Sequence, residues 1–200
     1  MNFGTVLACA LLVAAGPAWA KPATPDVLIT PAAKTGDKIE ISFDDKHVYV
    51  TAGSFDVTGT NANGNRYYRN GAATSGGAPL WELKNEAAGF KIFDPAGKLL
   101  WKVKWDDDKV KIADNEEMSG ARSVKVHADH IKTSDAKNAE LGEARTSKDS
   151  GKIKIKDAHG KELFFATGGR LTAGYGVLLM KDIPEQQREV LAAELFVHGR

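Results

Sequence analysis

The stretch 90-FKIFDPAGKLLWKVK-104 is written a second time as 153-IKIKDAHGKELFFATG-168, each copy a strand, an Asp-x-x-Gly-Lys turn and a second strand. Asp and Gly are the residues that tight turns select, Asp because its side chain bonds the backbone ahead of it and Gly because it accepts positive φ. The text on either side alternates apolar and polar residues, the period-two signature of a strand with one buried face. A chain built this way predicts antiparallel hairpins joined in sequence.

Working outward, the same alternation runs through 38-KIEISFDDKHVYVTAG-53, with a turn at Asp44-Asp45, and through 80–86, 109–114 and 123–129. Val103 and Trp105 share one face of their strand, Val110 and Ile112 one face of the next, and Ile153 and Ile155 another. Lys102, Lys104, Lys109, Lys111, Lys152, Lys154 and Lys156 are then expected in water. The fold class that follows is mainly β, an antiparallel hairpin meander forming a barrel or sandwich. Only the end of the chain reads as helix. Asp182 and Glu185 stand at capping-box spacing around Pro184, and Ile183, Val190, Leu191 and Leu195, with Phe196 at its edge, form one stripe of an amphipathic helix. Residues 174–180, GYGVLLM, are expected as a last strand.

Residues 1–20 are an uncharged, Ala/Leu/Val-rich stretch ending in Ala18-Trp19-Ala20, the small-x-small pattern of an export signal. Its apolar run falls well short of the roughly 20 residues that a membrane-spanning helix needs. Cleavage there would remove Cys9, the only cysteine, leaving a cysteine-free mature chain without a transmembrane segment, periplasmic or secreted. Residues 21–37, with three prolines, are expected as an extended tail, and 38–200 as a single β-rich domain. Within it, 59-GTNANGNRYYRNGAATSGGAP-79 is expected as a long loop. Loops beyond about 12–15 residues are uncommon in compact domains and tend to be functional.

Twenty-seven basic and 26 acidic side chains leave a formal net charge of +1, without the basic excess that nucleic-acid binding requires. Inside the expected loop, 66-RYYR-69 offers two arginines around two tyrosines. Arg66, Tyr67, Tyr68 and Arg69 could hold a phosphate, a carboxylate or a sugar ring by forked hydrogen bonds and stacking. Alternatively, the tyrosines pin the loop to the body. His127, Asp129 and His130 carry metal-ligand chemistry, yet a zinc site needs three or four convergent ligands and His130 points away from the other two along a strand. The competing reading is a solvated turn. Ser119 precedes Gly120 without the leading Gly of a nucleophile elbow, and no His-Glu-x-x-His helix is present.

The hairpins written Phe90, Ile92, Asp94, Gly97, Leu100 and Ile153, Ile155, Asp157, Gly160, Leu163, followed by an apolar run and a C-terminal helix, resemble the tubby C-terminal-like superfold, specifically the LURP-one-related proteins, over residues 80–198. The resemblance implies a barrel around a central apolar helix and a lipid-binding or scaffold role, and it transfers no site residue. Glu185, Arg188, Glu189 and Glu194 would be costly inside a barrel without partners, so the helix either threads the barrel or closes one end. The functional expectation is an exported, non-enzymatic binding or scaffold module of the cell envelope that needs no cofactor. Its partners would be an anionic lipid, a glycan or an envelope protein. The alternatives are an envelope hydrolase with a site built from distant carboxylates and histidines, and a partner-protein binder using the C-terminal helix.

Overall fold

The structure, a computed structural model, describes residues 21–71, 78–148 and 150–200. The expected export signal, with Cys9, lies outside the described residues. Among the described residues fourteen strands form one closed antiparallel barrel in which sequence neighbours pair and β1 closes on β14. They are β1 (Val27–Pro31), β2 (Ile39–Phe43), β3 (His47–Ala52), β4 (Phe55–Ala62), β5 (Asn65–Asn70), β6 (Trp81–Glu86) and β7 (Gly89–Phe93). There follow β8 (Leu99–Trp105), β9 (Lys109–Ala113), β10 (Arg122–Val126), β11 (His130–Ser134), β12 (Glu140–Thr146), β13 (Ile153–Asp157) and β14 (Glu162–Thr167). Among the described residues there are two helices, α1 (Ala173–Val177) and α2 (Glu185–Val197).

The repeated turn does what its residues require. Asp94 Oδ1 accepts from the amides of Ala96 and Lys98 at 2.9 and 2.8 Å, and Asp157 Oδ1 from those of His159 and Lys161 at 3.0 Å. Gly97 and Gly160 take φ of 80° and 79°, and a bulge follows in each hairpin. A third copy stands at Asp135, whose Oδ1 accepts from Lys137 and Ala139, with Asn138 at φ 62° where the others have glycine. Asn tolerates this left-handed backbone, which is why the third copy is hidden from a search for Asp-x-x-Gly.

Alternation decides which residues enter the core. Val103, Ile112 and Ile155 are fully buried, and Val110 and Ile153 nearly so, while Trp105 is half-buried. Each fully buried Ile, Leu, Val or Phe contributes about 1.5–3 kcal/mol relative to exposure. Lys102 departs from expectation. It is 8% exposed because its Nζ reaches the Glu116 carboxylate and carbonyl, both at 2.6 Å.

Four further expectations are corrected. The proline-rich lead-in 21–37 contains β1, which pairs with β14 on one side and β2 on the other and so closes the barrel. Much of the expected loop 59–79 is a hairpin, β4 and β5 joined at Asn63-Gly64 with φ of 54° and 80°; its part 72–77 lies outside the described residues. Two positive-φ residues are what a two-residue hairpin turn needs. The run 174–180 is not a strand but α1 and its exit, with Thr172 capping the Gly174 amide. Asp182 does not cap α2, whose N-cap is Pro184 and which has no side-chain cap; it pairs with Arg122 instead, Oδ2 to Nη2 at 2.5 Å.

α2 is buried along Glu189–Phe196, eight consecutive residues and hence every side of the helix. It runs inside the barrel beside α1. Gly174 lets the two helices approach, since a Cβ there would stand 2.9 Å from the Ala192 carbonyl. Gly176 does the same toward the wall, where a Cβ would meet Thr133 Oγ1 at 2.6 Å and Val124 Cγ1 at 2.7 Å. Among the described residues no helix is long and apolar enough to cross a membrane.

Candidate functional site

The tetrad Arg66–Arg69 lies on β5, and strand alternation divides it. Arg66 and Tyr68 point into the barrel and Tyr67 and Arg69 point out. Outside, the Tyr67 hydroxyl donates to Glu82 Oε1 at 3.2 Å and the Arg69 guanidinium sits 5.8 Å from the Tyr67 ring centre. Inside, Arg66 Nη1 donates to Glu194 Oε2 at 2.5 Å and Nε to Asn61 Oδ1 at 2.8 Å, while the Tyr68 hydroxyl donates to Glu194 Oε1. Gly59 makes this possible, because a Cβ there would stand 2.8 Å from both the Arg66 chain and the Tyr68 ring. Burial works against the Arg66 charge, but the Glu194 carboxylate more than offsets it, so the guanidinium titrates higher than usual. Burial, then Glu194, holds the Tyr68 phenol well above its ordinary range. The four residues therefore form no single recognition surface, and the inner pair supports α2.

His127, Asp129 and His130 do meet, at the turn between β10 and β11. Their rings stack 4.4 Å apart, His130 Nδ1 is 2.7 Å from Asp129 Oδ1, and Arg145 donates to Asp129 Oδ2 at 3.0 Å. The His130 hydrogen bond holds Asp129 below the usual carboxylate range. The Asp129 carboxylate is engaged by His130 and Arg145, and among the described residues no group of three or more His, Cys, Asp or Glu is arranged to hold a metal ion. A Ser-x-x-Lys spacing at Ser134–Lys137 spans the end of β11 and its turn, with Ser134 half-buried and Lys137 exposed, so no helix places them on one face.

The site with chemical capacity is elsewhere. Because successive strands are antiparallel, the β1–β2, β3–β4 and β13–β14 connections emerge at one end of the barrel, the end where α2 begins. There a cleft of about 850 Å³ opens among Pro31, Ile39, Phe55, Leu163, Phe164 and Ile183. Its charged lining is Asp37, Lys181, Glu185, Arg188 and Glu189. Glu189 is 2% exposed, and its Oε2, like Arg188 Nε, is buried with no hydrogen-bond partner among the described residues. Burial, with the Glu185 and Asp37 carboxylates adding and Arg188 opposing, raises the Glu189 carboxyl to about 7. A buried polar atom without a partner costs about 1–3 kcal/mol, so two at one cleft mark a place where a ligand could supply what the fold does not.

Sequence reasoning passed over this cleft. Glu189 reads as the polar side of an amphipathic helix, and only the closure of a barrel around α2 turns that side inward. Its one sequence signal is the charge of Arg188-Glu189 directly before the apolar run 190–193. Compared with known proteins, the chain matches no family model, no curated protein and no solved structure.

Proposed function

We propose that this protein is an exported, non-enzymatic binding module of the cell envelope that holds a small amphipathic ligand in the cleft at the α2-start end of the barrel. The observation that carries the reading is the juxtaposition, in one cleft, of the half-buried apolar side chains of Leu163 and Phe164 with the unpartnered Glu189 Oε2 and Arg188 Nε. A cleft of about 300–1,000 Å³ in which apolar side chains meet convergent polar groups is the usual setting of a small-molecule site. Export rests on the leader 1–20, and kinship with tubby-like proteins is supported by a closed barrel around a helix. A lipid headgroup or glycan held by 66–69 loses its support, because that tetrad is divided between the two faces of β5. A partner bound through the α2 stripe loses support likewise, since Val190, Leu191 and Leu195 are fully buried.

The test is a titration of the purified protein with 1-octanol, followed by the rise in Tm, in wild type and in Ala52→Trp. Ala52 lines the cleft and is half-buried, so an indole there fills the space. Stabilisation of the wild type that disappears in a folded Ala52→Trp supports the reading; equal stabilisation of both overturns it.

The hydrolase alternative has one observation in its favour, a carboxyl raised to about 7, where a general acid or base works best. It predicts that a bound ester or amide is consumed. The binding reading predicts that the ligand is recovered unchanged.

A further inference from the structure

Resting on the binding reading above, we infer that the ligand is a primary amine on an apolar body, its ammonium held by the Glu189 carboxylate. The charged groups facing the cleft come from three segments, Glu185, Arg188 and Glu189 from α2, Asp37 from the β1–β2 connection and Lys181 from the segment between the helices, while β3, β4 and β14 contribute none. Arg188 is already turned toward Glu185, Nη2 to Oε1 at 3.8 Å. That leaves Asp37 and Glu189 against Lys181. Lys181 is exposed and Glu189 is not, so screening by water weakens the cation and spares the carboxylate.

Three headgroups can be weighed against this arrangement. An ammonium has three donors and no acceptor, and the cleft offers it acceptors in the Glu189, Asp37 and Glu185 carboxylates. It also supplies the countercharge that lets Glu189 ionise, and a charge-assisted bond is roughly twice as strong as a neutral one. A hydroxyl offers one neutral hydrogen bond and leaves the carboxylate unpaired. A carboxylate would sit beside Glu189 as a like charge, with the partly engaged Arg188 as its main support. Leu163 and Phe164, both half-buried, offer the apolar surface for the alkyl body in all three cases.

The experiment uses three probes with the same chain: n-octylamine, 1-octanol and octanoate, each titrated calorimetrically into the purified protein at pH 8. An alkyl amine, like the lysine side chain with its pKa of about 10.4, is protonated there. Octylamine is expected to bind about tenfold or more tighter than octanol, a difference of about 1.4 kcal/mol, and octanoate weakest. In Glu189→Gln, checked for folding by circular dichroism, the preference for the amine over the alcohol disappears. Octanol matching octylamine in wild type overturns the amine inference and leaves the cleft as an apolar site. Octanoate binding tightest overturns it in favour of Arg188 and Lys181. If no probe binds, the binding reading fails and the inference with it.

Discussion

The Tyr68 hydroxyl and the Glu194 carboxylate, 126 residues apart, are hydrogen-bonded inside the barrel, and the Arg66 guanidinium closes on the other carboxylate oxygen. A glutamate with no exposed surface is thereby tolerated in the middle of a central helix. Removing one member of such a pair leaves a buried charge without compensation, which costs about 3–5 kcal/mol. Glu194→Ala should lose that much stability in urea unfolding. Arg66→Met/Glu194→Leu, which removes both charges, should be more stable than Glu194→Ala alone. A double variant less stable than the single one would show that the pair is not coupled.

Glu189 predicts a stability that depends on pH with a defined sign. Its carboxyl rises from 4.5 to about 7 on folding, through burial first and then the Glu185 and Asp37 carboxylates. Between those pH values the native state keeps a proton that the unfolded chain has released, so stability falls as pH rises through the window. Glu189→Gln should therefore exceed wild type by about 1–3 kcal/mol at pH 8, with the gap closing toward pH 4.5. Chemical denaturation at the two pH values measures it. An identical gap at both would place the effect outside this titration.

His198 works in the opposite direction. Burial lowers its pKa below 6.5, with Glu194 opposing and Arg66 and Arg200 adding, and its ring packs against those of Phe90 and Trp105 at centre distances of 5.7 and 5.1 Å. A depressed histidine contributes stability above its unfolded pKa and loses it as pH falls through the folded value. His198→Phe keeps an aromatic ring in that position without a titrating group. It should lose less stability than wild type between pH 7 and pH 5, as thermal melts across that range would show.

Gly176→Ala tests how tightly the helices fill the barrel. The new methyl would fall 2.6 Å from Thr133 Oγ1 and 2.7 Å from Val124 Cγ1, both on the barrel wall. Overpacking of this kind costs about 1–3 kcal/mol. Thr133→Ser would leave the hydroxyl in place, whereas Val124→Ala removes both γ-methyls that crowd the new side chain. Val124→Ala should therefore cost less stability in the Gly176→Ala background than in wild type, measured by a double-variant cycle.

Much of the wall was legible in the chain. Phe90, Ile92, Val103, Val110, Ile112 and Ile155 are buried as period-two alternation requires, and the turns at Asp94 and Asp157 form where Asp-x-x-Gly stands. Both signals are local, because side chains alternate about a strand whatever lies beyond it. The hairpin at Asn63-Gly64 was also written locally, yet it was obscured by a surrounding composition that reads as loop.

What alternation could not say is what each inward face would meet. β1 becomes a strand because β14 and β2 offer it unpaired edges, overriding a lead-in rich in proline. The GYG of α1 packs as a helix because its glycines fit between α2 and the wall. Arg66 and Tyr68 became supports of Glu194, and Glu189 the buried acid of a cleft, only when the barrel closed around α2. A sequence carries the period of each segment. The partners of a buried charge come from segments distant along the chain, and only the packed tertiary structure brings them within hydrogen-bonding reach.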